Sequence, residues 1–521
     1  MTIRGESRAM PTNPEHVPVI IGVGQINDRP ADPREGLDPV GLMAEALRRA
    51  DADGGGGWLE DCQSLGIVGQ IAWPQINPVA GKVAEALGID PAHVEETTPH
   101  GDNPIRLLNE AANRIGAGEA VICAVTGGEA LRTAGALAKM KAAEEAANSP
   151  EKAKPKEHDA LRDASHRRKL GYAQSYGLVV PVDVYPLYEN AFRAAQGQTL
   201  TEGQAESGAI WAGFSQVAAR TEAAWIREPR QAEEIIEPTA DNRPIAFPYT
   251  KLQVANSAVN QGAGFIVTSL AEARRRGVSE DRLVFVGAGA SAFEPDSILA
   301  RDSYTASAGM ETSIRKAMEL NAVPADDLDH VELYSCFPCV PKMARRTLGW
   351  PLEKPMTVFG GLTFGGGPIG NYMSHAVACM VEKLRGGGTG LLFANGGYAT
   401  HSHTIVLSAQ PIEGVGFPQD FDYNDAAEKA RDDVPPLDKT YSGPATIETY
   451  TVHYKRDGSP RVGTVVARTP DGARTLAVVP PEDAATIALL TDGKVEPVGQ
   501  KGRIVRAGHG EWDGMGVWNT A

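Results

Sequence analysis

Apolar and polar positions follow two periods along this chain. Val17 to Gln25, VPVIIGVGQ, is a near-continuous apolar run of strand length, which predicts a buried strand. Asp38 to Asp53, DPVGLMAEALRRADAD, has apolar residues three and four apart behind an Asp-Pro start, which predicts a helix. Alternation of such segments predicts a parallel sheet covered by helices. Asn103 to Leu131 reads as helix, Gly turn, buried strand and a Gly127-Gly128 pair. Pro368 to Thr400 repeats that order and ends on Gly396-Gly397. Two copies of one pattern predict an internal duplication of an α/β half-domain.

Between the copies, Arg132 to Arg168 is rich in Lys, Glu and Ala and predicts a solvated helix with a mobile connection. YPLYENAFRAAQ and ESGAIWAGFSQVAARTEAAW follow as amphipathic helices with aromatic apolar faces, suited to cap a site mouth or to add core. After Gln410 the chain turns acidic with scattered prolines, which predicts a linker. From Tyr441, TYTVHY, RVGTVVART and TLAVVPP alternate with turns at Asp457-Gly458, Asp471-Gly472 and Asp492-Gly493. These predict a small β-barrel or sandwich, OB-like, of a size that can fold alone. The expected domains are a tail at 1–15, a first half at 16–275 with an insertion at about 132–250, a second half at 276–410, a linker at 411–440 and a β domain at 441–521.

Composition narrows the function classes. The 521 residues are 42% apolar, and 50 Lys+Arg against 66 Asp+Glu give a net charge of −16. That balance works against sequence-independent binding to nucleic acid or anionic lipid. Residues 441–521 hold nine Lys/Arg and nine Asp/Glu, so the β domain offers no charge-based footing for an oligonucleotide. The polar start MTIRGESRAMPTNPEH and the lack of any apolar run of membrane length lead us to expect a cytoplasmic protein with no membrane partner. Five cysteines, at 62, 123, 336, 339 and 379, predict no disulfide scaffold. Cys336-x-x-Cys339 has no second ligand pair for a metal. Gly22 and Gly24 lack the third glycine of a dinucleotide loop, and Ile26 to Pro30 follow where a helix should start.

Four motifs stand in order: NPIRLLNEAANRIGAGEAVICAVTGGEAL, HVELYSCF, GGLTFGGGPIGNY and GLLFANGGYAT. Through them the segment from His16 to Gln410 resembles the thiolase superfamily, in particular its acetyl-CoA acetyltransferase and sterol-carrier-type branches. The first is similar to the family's nucleophile helix and G-G-x-E strand end, and the second to its E-x-H-D-C-F or N-E-A-F loop. The third is similar to G-G-x-x-x-x-G-H-P-x-G-A and the fourth to C-x-G-G-G. The resemblance implies a duplicated, layered αβαβα fold and acyl transfer between coenzyme A and a cysteine. In that chemistry a histidine activates the thiol and a second cysteine moves the proton. It implies CoA or acyl-CoA as ligand, no covalently bound cofactor and no metal. It also implies a homodimer, with a monomer as the alternative where the appended domain covers the dimer surface.

The departures fall on the working positions. Gly101 stands at the nucleophilic cysteine, Gly367 at the histidine, Ala394 at the second cysteine and Tyr334 at the Asn or His of the N-E-A-F loop. Loss of such a set predicts that ordinary thiolysis and Claisen condensation are absent. The candidate replacements are His401 or His403, of which alternation lets at most one face the pocket, together with Cys336 and Asp102. Asp102 serves as a base or, by the reading we prefer, as the cap of the helix that begins near Pro104. By the resemblance, substrate is met by Asn103, Tyr334, Gly366, Gly367, Pro368, Asn395, Gly396 and Gly397. Glu129 and Glu332 are expected to hold loops. The expected function is acyl-CoA binding without ordinary thiolase activity. The alternatives are an acyltransferase with relocated groups and a non-catalytic scaffold that recruits a protein through the β domain.

Overall fold

The computed structural model describes residues 13–148 and 169–520. One nine-stranded sheet runs in the order β3-β2-β4-β7-β1-β8-β11-β10-β9. Its strands are β1 (Pro18–Asn27), β2 (Ser64–Val68), β3 (His93–Thr97), β4 (Ile122–Ala130), β7 (Asn260–Ser269), β8 (Val284–Phe293), β9 (His330–Leu333), β10 (Thr389–Gly396) and β11 (His401–Ser408). The seam is narrow: β1 meets β8 only at Val19↔Phe285 and Ile20↔Val284. The expected parallel sheet is in fact mixed: β2 with β3, β2 with β4 and β9 with β10 pair parallel, whereas β1, β7, β8 and β11 pair antiparallel with their neighbours.

Helices α1 (Pro39–Asp53), α2 (Ala80–Leu87), α3 (Asn103–Ala117) and α4 (Leu131–Asn148) belong to the first half. Helix α1 lies directly on β1, since a Cβ on Gly22 or Gly24 would overlap the Ala50 or Ala46 carbonyl oxygen. Those glycines serve helix packing. The insertion between β4 and β7 holds α5 (Pro181–Ala195), α6 (Leu200–Arg220) and the short strands β5 (Pro244–Ala246) and β6 (Tyr249–Thr250). The expected mobile connection falls largely outside the described residues. The second half adds α7 (Ala308–Leu320), α8 (Cys339–Leu348) and α9 (Tyr372–Leu384).

Helices α3 and α9 each touch strands of both halves, whereas α1 and α7 lie on the outer faces. The layers are therefore αβαβα. Every side chain of α9 from Tyr372 to Val381 is buried, Ser374 and His375 included, as the middle layer requires.

The acidic segment 411–440 differs from the linker expected of it. Helix α10 (Asn424–Ala430) forms within it, and Asp422 bridges to Ser291 on β8. Ser291 N donates to Phe421 O at 2.7 Å, and Phe293 N donates to Asn424 Oδ1 at 2.8 Å. Phe417 fills the space above Gly116. A few anchors in an otherwise acidic run convert a linker into a strap.

The C-terminal strands are β12 (Gly443–Tyr454), β13 (Pro460–Arg468), β14 (Arg474–Val479), β15 (Lys501–Arg506) and β16 (Gly516–Thr520). They close into a barrel, β12-β13-β14-β16-β15-β12, around Ile447, Val452, Val465, Val479 and Trp518. The first two Asp-Gly pairs turn hairpins. The third ends helix α11 (Ala484–Thr491), whose cap Asp483 accepts from Thr486 N at 3.1 Å; the helix-forming run AATIALLT outweighed the turn signal. The barrel sheet continues into the insertion through His453↔Ala246. No helix among the described residues is long and apolar enough to cross a membrane.

Candidate functional site

The four motif loops converge at one end of the middle layer. Gly101 and Asp102 precede α3, and Pro104 occupies its first turn. The Asp102 side chain makes no capping hydrogen bond, which corrects the capping expectation. Its carboxylate is 3% exposed and Oδ1 has no partner. Burial raises its pKa, against the pull of His401 and His100. Asn103 Nδ2 donates to Thr98 O, so this expected substrate contact holds its own loop.

The space that a side chain on residue 101 would need is taken. A Cβ there would overlap both Tyr334 Oη and Asn395 O. Tyr334 is 7% exposed and packs edge-on against Tyr372, with ring centroids 5.7 Å apart. Glu332 fixes the loop that carries it, accepting from Thr357 Oγ1 (2.8 Å), Val358 N (2.8 Å) and Tyr372 Oη (2.7 Å). Glu129 likewise accepts from Ile71 N (2.6 Å) and Ala72 N (3.1 Å). Both acids hold loops, as expected.

The glycine loop is buried from Gly360 to Pro368, under the Ala218 and Phe214 side of α6. Gly366 has φ 104, and a Cβ there would overlap Gln261 Oε1. Gly367 N donates to Asn256 O at 2.9 Å. A Cβ on Gly367 would sit 3.3 Å from Asn256 O and from Leu362 O, so a histidine there needs its neighbours to yield.

In the last loop Ala394 is fully buried and Asn395 is 1% exposed. Cys336 Sγ lies 3.9 Å from Asn395 Nδ2, and burial pushes its thiol up to about 12. It is therefore no thiolate at neutral pH. Among the described residues no metal cluster forms, and all five cysteines are free.

His401 and His403 point to opposite faces. His401 is partly exposed, with its ring 4.9 Å from His100 and 4.9 Å from Phe293. His403 is buried, its Nε2 3.1 Å from Asn109 Oδ1, and burial, then Arg106, lowers its pKa to about 3. Burial also lowers His375 to about 3. The folded state thus refuses protons that the unfolded chain takes up near 6.5, so stability falls as pH drops from 6.5 toward 3. Urea unfolding at pH 7 and pH 5 should show a loss of about 2 kcal/mol for each histidine. His403→Gln should remove about half of that combined loss.

The buried acceptors without partners here are Asp102 Oδ1, Asn395 Oδ1 and Gln261 Oε1. An oxyanion hole requires converging donors, and these three side-chain atoms are acceptors.

A second cluster borders the glycine loop and escaped the sequence reading. Trp225 N donates to Gly365 O at 2.9 Å and Ile226 N to Phe364 O at 2.7 Å. Arg29 stacks over the Trp225 ring at 4.0 Å and Arg132 lies 5.6 Å from its centroid. Arg227 follows two residues after Trp225, and burial, then Arg132 and Arg227, lowers the Arg29 pKa. None of the three forms an ion pair with a carboxylate among the described residues. Such a cluster is suited to a multiply charged anion. Its members are far apart in sequence and share no motif, so no local signal pointed to them.

Residues 427–509 match the family model of the thiolase-like protein type 1 additional C-terminal domain. The chain is similar to the crystal structure of a monomeric SCP2-thiolase like protein type 1 from Mycobacterium smegmatis, with 28% identity and TM-score 0.79, covering 97% of this chain and 99% of that one. It shares its fold with the dimeric peroxisomal thiolase of Saccharomyces cerevisiae at 15% identity and TM-score 0.53, covering 77% of this chain and 99% of that one. It shares it also with human mitochondrial 3-ketoacyl-CoA thiolase at 13% identity and TM-score 0.54, covering 76% and 100%. One of these relatives is monomeric and another dimeric. No curated protein matches the chain. The motif order, the αβαβα layers, the closed barrel and these likenesses agree: the chain is a protein of the thiolase-like superfamily with an additional C-terminal domain.

Proposed function

We propose that this protein binds coenzyme A or its acyl esters and does not carry out cysteine-dependent acyl transfer. The observation that carries the reading is the cluster of Arg29, Arg132 and Arg227 around Trp225, joined by backbone hydrogen bonds to Phe364 and Gly365 beside Gly366 and Gly367. The phosphates of CoA match the guanidinium groups, and the glycine loop lies next in line for the pantetheine arm. Tyr334 at the side-chain position of residue 101 supports the absence of thiolysis.

Calorimetric titration with CoA, dephospho-CoA and acetyl-CoA tests the reading. CoA should bind more tightly than dephospho-CoA, and Arg132→Ala/Arg227→Ala should weaken CoA at least tenfold, with the difference shrinking at high salt. Absence of CoA binding at millimolar concentration, or an unchanged affinity in the double variant, would sink it.

A second reading, acid–base chemistry at relocated groups, draws on Asp102, His100 and His401 meeting at the mouth. It predicts a covalent adduct or product with at least one acyl-CoA by mass spectrometry; a clean negative over several thioesters removes it.

A further inference from the structure

The hairpin loop 397–400 between β10 and β11 follows Asn395 directly, and all four of its backbone carbonyls are held from outside. Tyr185 Oη donates to Gly397 O (3.1 Å) and accepts from Ala399 N (2.9 Å) and Asn395 Nδ2 (2.9 Å). Tyr188 Oη donates to Tyr398 O at 2.9 Å. The fully buried Arg301 donates to Tyr398 O at 3.1 Å and also to Ala399 O. Glu294 N donates to Thr400 O at 2.8 Å.

These holders are in turn gripped by the barrel. Arg474 of β14, fully buried, donates to Leu299 O (2.7 Å) and Arg301 O (2.5 Å), and Glu448 of β12 clamps it at 2.7 and 2.8 Å. On the other side Thr449 Oγ1 donates to Leu187 O at 2.6 Å, and Asn190 Nδ2 donates to Tyr450 O at 2.9 Å. Leu187 and Asn190 share α5 with Tyr185 and Tyr188.

The loop pays for this closure at one residue. Ala399 has φ 57, in the left-handed region that disfavours any residue with a Cβ. A strained non-glycine residue persists only where its surroundings over-determine it, and it biases the loop toward release.

We infer that the C-terminal barrel acts in cis as a latch, closing loop 397–400 over the Tyr334–Cys336 centre through Arg474, Arg301 and helix α5. Tyr185, which holds Gly397 and Ala399, also bonds Cys336, whose Sγ lies 3.9 Å from Asn395 Nδ2, so release of the loop loosens the cover over that thiol. The inference does not rest on CoA binding. It gives the additional domain a role in the same molecule, as the element that decides access to the centre.

Native-state labelling of the full-length protein with iodoacetamide, followed by peptide mass mapping, reads the latch. Cys336 reports the loop, and buried Cys123 on β4 reports global opening. Tyr185→Phe and the barrel variant Thr449→Val should each speed labelling of Cys336, about tenfold for the first, with Cys123 unchanged. Ala399→Gly should slow it about fivefold, because glycine removes the left-handed strain. Arg474→Met should give the largest acceleration. An unchanged Cys336 rate in both barrel variants overturns the latch. So does a faster rate in Ala399→Gly, or equal acceleration of Cys336 and Cys123 in Thr449→Val.

Discussion

Lys342→Met should cost about 3–5 kcal/mol, among the largest single losses in the molecule. Lys342 Nζ lies 2.5 Å from Glu189 Oε1 and donates to Gly203 O at 2.8 Å, while Tyr249 Oη donates to Glu189 Oε2 at 3.0 Å. The two charged side chains are 0% and 2% exposed. They join α8 of the second half to α5, α6 and β6 of the insertion, one of several contacts that fix the insertion on the core, beside Glu206 with Arg345 and Arg346. Removing the ammonium leaves a carboxylate buried with a single tyrosine donor. Desolvation then dominates, because water cannot reach the orphaned charge. Replacing both partners, as in Lys342→Met/Glu189→Leu, should recover most of the loss, since the desolvation cost disappears with the charge. Denaturant midpoints of the two single variants and the double variant measure this. A Lys342→Met loss below about 1 kcal/mol would show that the pair is solvated in solution.

Much of this architecture is written locally in the sequence. The apolar run at Val17 to Gln25, the three–four spacing from Asp38 and the two helix–strand–double-glycine copies became β1, α1 and the α3–β4 and α9–β10 units. The strands at TYTVHY, RVGTVVART and TLAVVPP became β12 to β14 for the same reason: period and turn chemistry are properties of neighbouring residues. Segment 411–440 was opaque because its structure depends on a few anchors such as Phe417 against Gly116, a contact between residues far apart in the chain.

The site divides the same way. That positions 101, 367 and 394 carry Gly, Gly and Ala is visible in the motifs, yet the motifs do not say what fills the space. Tyr334 reaching residue 101, α6 covering the glycine loop, and Arg29, Arg132 and Arg227 meeting at Trp225 are all tertiary facts. His401 and His403 were legible as a pair of opposite faces. Which one lies at the mouth followed only from the packing of His403 against Asn109.

Gly101→Cys should fail to create a thiolase and should destabilise the fold by about 1–3 kcal/mol. The cost is steric: the new Cβ overlaps Tyr334 Oη and Asn395 O, and the Asn395 oxygen is backbone that cannot rotate away. Chemistry fails for a separate reason. A nucleophilic thiolate needs a cationic neighbour or a base, and Gly367 supplies neither at the position where the family resemblance puts the histidine. The unpartnered acceptors Asp102 Oδ1 and Asn395 Oδ1 would repel the developing oxyanion. Removing the obstruction separates the two effects. Gly101→Cys/Tyr334→Ala should regain part of the stability lost in Gly101→Cys, relative to Tyr334→Ala alone, because the two positions share one volume. It should still cleave acetoacetyl-CoA no faster than the unmodified protein. Thiolysis clearly above that background in the double variant would mean that the centre keeps a working base and donor set, and would overturn the expectation that cysteine-dependent acyl transfer is absent.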